Sequence, residues 1–168
     1  MTYFAAALAR TSDGWTGREL DLHDVEDLES LAEELRDLAE ADGDASGPAL
    51  LLLEEDDEYV GVVRVDPGAV DEPRVFLSDR RAVQASDVAA MLWEEAAEDS
   101  DESDDEEDEG TRPVAEPVGD AELLTDLGTS SDVLLDLCAE EGLLPADVLT
   151  GIAERAGFLE VLDSLRDG

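Results

Sequence analysis

Ala49-Leu50-Leu51-Leu52-Leu53-Glu54-Glu55-Asp56-Asp57-Glu58-Tyr59-Val60-Gly61-Val62-Val63-Arg64-Val65 reads as two strands around a short acidic turn. Aliphatic and β-branched residues suit a pleated, buried surface, and a polar loop of this length joins antiparallel neighbours. The stretch is the clearest hairpin in the chain. Upstream, Tyr3 to Arg10 is a compact apolar run that stops at Thr11-Ser12-Asp13-Gly14, with Trp15 to Leu20 beyond it, which predicts a second hairpin. Between the two hairpins, Val25, Leu28, Leu31, Ala32, Leu35, Leu38 and Ala39 recur at spacings of three and four. That period predicts an amphipathic helix with acids on its outer face, closed by Gly43 to Pro48.

Downstream, Asp66-Pro67-Gly68 punctuates the chain and Arg74 to Leu77 reads as one more strand. Ser86-Asp87 is a helix start, with Val88, Met91 and Leu92 on one apolar face. The order ββαβββα, built from hairpins rather than βαβ crossovers, predicts an α+β fold: an antiparallel sheet with helices on one face.

Glu94 to Glu109 then holds twelve carboxylates and no base. Such a run has no apolar surface to bury and is expected to be a disordered linker. Beyond it, Asp120 to Leu127 reads as a short helix stopped by Gly128, and Thr129 or Ser130 caps the next, which ends at Gly142. Pro145 suits a first helical position and opens a helix reaching Gly157, and Phe158 to Leu165 closes the chain. The expected organisation is an α+β unit at 1–98, an acidic linker at 99–118 and a small C-terminal helical bundle at 119–168. Contact between the two folded units is left open.

Charge excludes more than it assigns. The chain carries 48 acids against 10 bases, all of them arginine, for a net charge of −38. Removing the twelve acids of the run still leaves −26. Such a surface repels phosphate backbones and attracts basic proteins, so direct nucleic-acid binding is not expected. Arg80-Arg81 is the only adjacent basic pair, and it reads first as neutralising local carboxylates. No apolar run approaches the roughly 18–20 residues that span a bilayer, and the start Met1-Thr2-Tyr3-Phe4 lacks the pattern of a signal peptide. The expectation is a cytoplasmic protein without membrane contact.

Chemistry is sparse. His23 is the only histidine, at a strand-to-helix transition, and Cys138 is the only cysteine, inside an apolar helical run. Neither a nucleophile–base pair nor a zinc set follows from one of each. Asp105, Glu107, Glu109, Gly110 and Glu116 approach the spacing of a calcium loop, but Arg112, Pro113 and Pro117 argue against one. No catalytic residue, metal ligand or cofactor is therefore assigned. Trp15, Tyr59 and Trp93 are read first as core, and with Arg80 and Arg81 they form the set of candidate partner-facing residues. Leu143, Leu144, Val148 and Phe158 offer a dimer face as the alternative to an internal core.

Several strings together resemble a known family. Tyr3-Phe4-Ala5-Ala6-Ala7-Leu8, the hairpin from Leu50 to Val60, and Arg74-Val75-Phe76-Leu77-Ser78-Asp79 are three of them. Leu124-Thr125-Asp126-Leu127-Gly128, Leu137 to Asp147, and Ala153-Glu154-Arg155-Ala156-Gly157-Phe158 complete the set. This whole-chain pattern resembles the actinobacterial tRNA adenosine deaminase-associated proteins. The resemblance implies a non-catalytic accessory protein beside a tRNA adenosine deaminase, with that enzyme as partner. The chain lacks the deaminase's own signature: zinc deaminases need H-x-E and P-C-x-x-C, whereas His23 is followed by Asp24-Val25 and Cys138 has no second cysteine.

Overall fold

The computed structural model describes residues 3–12, 14–41, 47–55, 59–66, 73–79, 82, 86–92, 117–140 and 144–167. Strands β1 (Tyr3–Thr11) and β2 (Gly14–Glu19) form the first hairpin, and a 3-10 turn at Leu22–Asp24 leads to helix α1 (Leu28–Ala41). Strands β3 (Ala49–Glu55), β4 (Tyr59–Val65) and β5 (Arg74–Leu77) follow, then helical residues 87–92 (α2). Past residue 117 come β6 (Val118–Gly119), a 3-10 turn at Thr125–Leu127, α3 (Ser131–Ala139), α4 (Pro145–Ala156) and α5 (Leu159–Asp167). The six strands lie in the order β2-β1-β3-β4-β5-β6, with every neighbouring pair antiparallel.

Local chemistry explains the helix starts. The Ser30 backbone N–H donates to Asp27 Oδ1 at 2.9 Å, which caps α1 and holds the Asp27 carboxyl below its ordinary range. Ser86 does the same for α2, accepting from the Ala89 N–H at 3.2 Å, as the sequence predicts. Of the two candidate caps for α3 it is Ser130 whose Oγ accepts, from the Val133 N–H at 3.3 Å. Pro145 occupies the first turn of α4, where a missing N–H costs nothing.

Register then sorts the side chains, because successive residues of a strand face opposite sides. Ala5, Ala7, Leu51, Leu53, Val63 and Leu77 point to one face, where α1 and α2 cover them with Leu31, Leu35, Ala89 and Leu92. Ala6, Leu8, Leu50, Leu52, Val62 and Phe76 point to the other. There the C-terminal helices supply Leu134, Leu149, Ile152, Phe158 and Leu162. Helix α4 packs over β3 and β4, and α5 over β1 and β2. The result is a three-layer α+β fold: the two N-terminal helices share one face as expected, and the C-terminal helices take the opposite one.

Three features differ from the expectation. Asp120 to Leu127 is a turn and a 3-10 helix rather than an α-helix. The Asp120 side chain accepts from the Glu122 N–H at 3.0 Å and from Arg74 Nε at 2.6 Å, offering the backbone a local alternative to helical bonding. Helix α3 ends at Ala139, three residues before Gly142. The sheet also gains β6, a strand absent from the sequence reading. Gly119 there has φ +102°, and a Cβ at that position would strike the Val75 carbonyl, so only glycine lets β6 approach β5.

Candidate functional site

The sequence-derived candidates scatter. Arg80, Arg81 and Trp93 lie outside the described residues, as do Glu94 to Glu109, Leu143 and the calcium-loop positions. Tyr59 is a core residue, 2% exposed. Its hydroxyl donates to Glu55 Oε1 at 2.9 Å, and Ser86 Oγ donates to the same oxygen at 2.5 Å. This buried cluster ties α2 to the β3–β4 hairpin on the first face. Trp15 sits on the second face at the far edge of the sheet. Its ring meets Phe158 edge-on with centroids 4.9 Å apart, its indole N–H donates to the Ala156 carbonyl at 3.2 Å, and Arg10 stacks 5.9 Å from its centroid. Trp15 is thus a half-buried clamp on the end of α4.

The proposed dimer face loses two of its members. Val148 and Phe158 are buried in the second-face core, whereas Leu144 is 51% exposed. Cys138 is half-buried, and desolvation pushes its thiol up to about 12, which is the opposite of an activated nucleophile. Among the described residues no group of three or more His, Cys, Asp and Glu is placed to hold a metal. None of their helices is long and apolar enough to cross a membrane.

The residues that the sequence reading missed form a rim of charge around the second face. Arg64 is the only charged residue of β4, and its side chain is 8% exposed. Its Nη1 and Nη2 donate to Asp126 Oδ1 and Oδ2 at 2.6 and 2.9 Å, and Nη1 also donates to the Leu123 carbonyl at 2.5 Å. Nε reaches Asp66 at 3.0 Å. The Asp126 bonds raise the Arg64 pKa above its ordinary value against the cost of burial, and the same bonds hold Asp126 below the usual carboxylate range. A bidentate guanidinium–carboxylate pair is directional, so it sets the position of the 3-10 turn on the sheet. An arginine interrupting a valine-rich strand was the signal available for it.

A second rim group closes the opposite end. Glu54 of β3, Glu19 of β2 and Phe4 of β1 share the second face, because Glu54 registers against Phe4 and Glu19 against Ala6. Arg166 from α5 donates to Glu54 Oε1 at 2.9 Å and to the Ala146 carbonyl at 3.4 Å, and its guanidinium lies 5.3 Å from the Phe4 centroid. With Leu165 these residues line an open cleft of ≈ 440 Å³. The arrangement suits recognition of a cation by a negative, partly aromatic wall.

Comparison with known proteins adds what geometry does not. Residues 3–159 match the family described as Rv3753c-like tRNA adenosine deaminase-associated protein. Among curated proteins, protein Rv3753c of Mycobacterium tuberculosis (strain ATCC 25618 / H37Rv) is 32% identical over 164 residues, covering 98% of this chain and 87% of the relative. No solved structure matches. A family match over residues 3–159, together with a relative 32% identical over 98% of this chain, places the chain in the Rv3753c-like tRNA adenosine deaminase-associated protein family.

Proposed function

We propose that this chain is a non-catalytic accessory protein that binds the tRNA adenosine deaminase beside which its family is named. The observation that carries this reading is family membership across residues 3–159. Charge supports it, since an enzyme that grips tRNA presents basic residues and this chain has a net charge of −38. The lone His23 and Cys138 support an accessory role over a deaminase one, because they lack the zinc-holding signature.

Two mechanisms fit. The acidic run Glu94 to Glu109 competes with tRNA for the enzyme's basic groove, or the folded surface docks away from that groove and stabilises the enzyme. Exposed charge pairs are screened over roughly 8–10 Å at 0.1–0.15 M salt, so competition weakens as salt rises and folded docking weakens less. The deciding experiment is a titration of this protein with the deaminase of the same organism at low and physiological salt, with and without tRNA. Saturable binding is expected at both salts. Loss of binding on adding tRNA selects the groove, and deletion of Glu94 to Glu109 without effect removes the competition mechanism. No binding at either salt overturns the accessory reading.

A further inference from the structure

We propose that the cleft bounded by Phe4, Glu19, Glu54, Leu165 and Arg166 is a binding site for an arginine side chain presented by a basic protein partner. The proposal rests on the reading of the chain as the companion of such a protein and adds where, and by what chemistry, contact is made.

Three observations converge. The cleft already shows how it holds a guanidinium: Arg166 stacks 5.3 Å from the Phe4 centroid while donating to Glu54 at 2.9 Å and to a backbone carbonyl at 3.4 Å. Aromatic face, carboxylate and carbonyl are the three groups that a planar, five-donor cation uses together. Next, Glu19 lines the same cleft and makes no ion pair or side-chain hydrogen bond among the described residues. The Glu19 carboxylate therefore brings a negative charge to the cleft that a further cation can meet. Finally, the open volume of ≈ 440 Å³ falls within the roughly 300–1,000 Å³ of ordinary binding clefts, and Phe4 and Leu165 give the aliphatic stem of an arginine an apolar floor. Anions are disfavoured by the carboxylates. Lysine fits less well, because an ammonium cannot stack and bond in one plane.

The test is an amide NMR titration of the full chain with acetyl-Gly-Arg-Gly-amide, and with the lysine analogue as a control. Saturable shifts confined to the amides around Phe4, Glu19, Leu165 and Arg166 are expected, larger for the arginine peptide. Glu19→Gln removes the unpaired charge and weakens binding about three- to fivefold, the scale of one partly exposed ion pair. Arg166→Ala removes the positive charge that competes for Glu54 and Phe4 and strengthens binding. Shifts spread evenly over the acidic surface, or a Glu19→Gln titration identical to wild type, overturn the proposal. A parallel titration with the deaminase separates the two readings. Localised peptide binding without deaminase binding ends the accessory reading and keeps the cleft. Deaminase binding with unlocalised peptide shifts does the reverse.

Discussion

The two faces of the sheet are covered in different ways. On the first face, α1 follows directly after the β1–β2 hairpin and precedes β3, so its cover is local in sequence, and the contact is aliphatic apart from the buried Glu55–Tyr59–Ser86 cluster and the exposed Arg18–Glu34 pair. On the second, the cover arrives only after residue 119 and is held at its rim by ions: Arg64 to Asp126, Arg74 to Asp120 and Glu54 to Arg166. Apolar burial is non-directional, whereas a bidentate ion pair fixes position. The difference teaches that a helix inserted next to its own strands needs only a matching stripe. A segment returning from far along the chain is aligned by specific charges as well.

Four substitutions and one pH series probe that contrast. The largest effects belong to the apolar centres. Phe158→Ala is expected to destabilise by about 3–5 kcal/mol and Leu35→Ala by about 2–5 kcal/mol in urea melts, since both side chains are fully buried. Hydrogen exchange then shows whether the faces are coupled: both variants should loosen α1 and α5 amides alike if the sheet and its two covers unfold as one unit. Arg64→Met comes next. It keeps the volume but leaves the Leu123 carbonyl without its donor, for an expected loss of about 1–3 kcal/mol and accelerated exchange in the 3-10 turn rather than in α1.

Acid provides a milder probe. The Asp126 pKa is depressed by its bond to Arg64, so its contribution is complete above the unfolded value near ~3.9 and is lost as pH falls through the lower folded value. Wild type should therefore exceed Asp126→Asn in stability at neutral pH, with the gap closing below about pH 4; a gap that persists into strong acid would remove the ion pair from the account. The smallest effect is expected on the first face. Arg18 and Glu34 pair at 3.2 Å with about half of each side chain exposed, and Arg18→Ala should cost no more than about 0.5 kcal/mol.

Much of the N-terminal half was legible in the sequence because its information is local. A turn at Thr11 to Gly14, an acidic loop after Leu53 and a 3.6-residue stripe from Leu28 to Ala39 each act within a few residues. The second face was harder. The unalternating Leu50-Leu51-Leu52-Leu53 marks a strand buried on both sides, and was read only as a strand. The pairs that align its cover join residues 46, 62 and 112 positions apart, which no period encodes. The cleft is hidden for the same reason, since its walls come from three strands and two helices. Tyr59 shows the converse: a lone aromatic at a strand start, read first as core with a surface anchor as the alternative, is a core residue with Glu55 and Ser86 closed around its hydroxyl.

The order of the strands also bears on colloidal behaviour. β3 and β4, with Leu50 to Leu53 and Tyr59 to Val65, are the segments best able to stack against copies of themselves, and both are central, hydrogen-bonded on each side. The outermost strands are poor templates. β2 carries Gly14, Gly17, Arg18 and Glu19, while β6 is two residues long and follows Pro117. Copies of the chain, each bearing a charge of −38, also repel one another before any edge can meet another. The leucine- and valine-rich segments of the core thus spend their backbone hydrogen bonds on neighbouring strands of the same sheet.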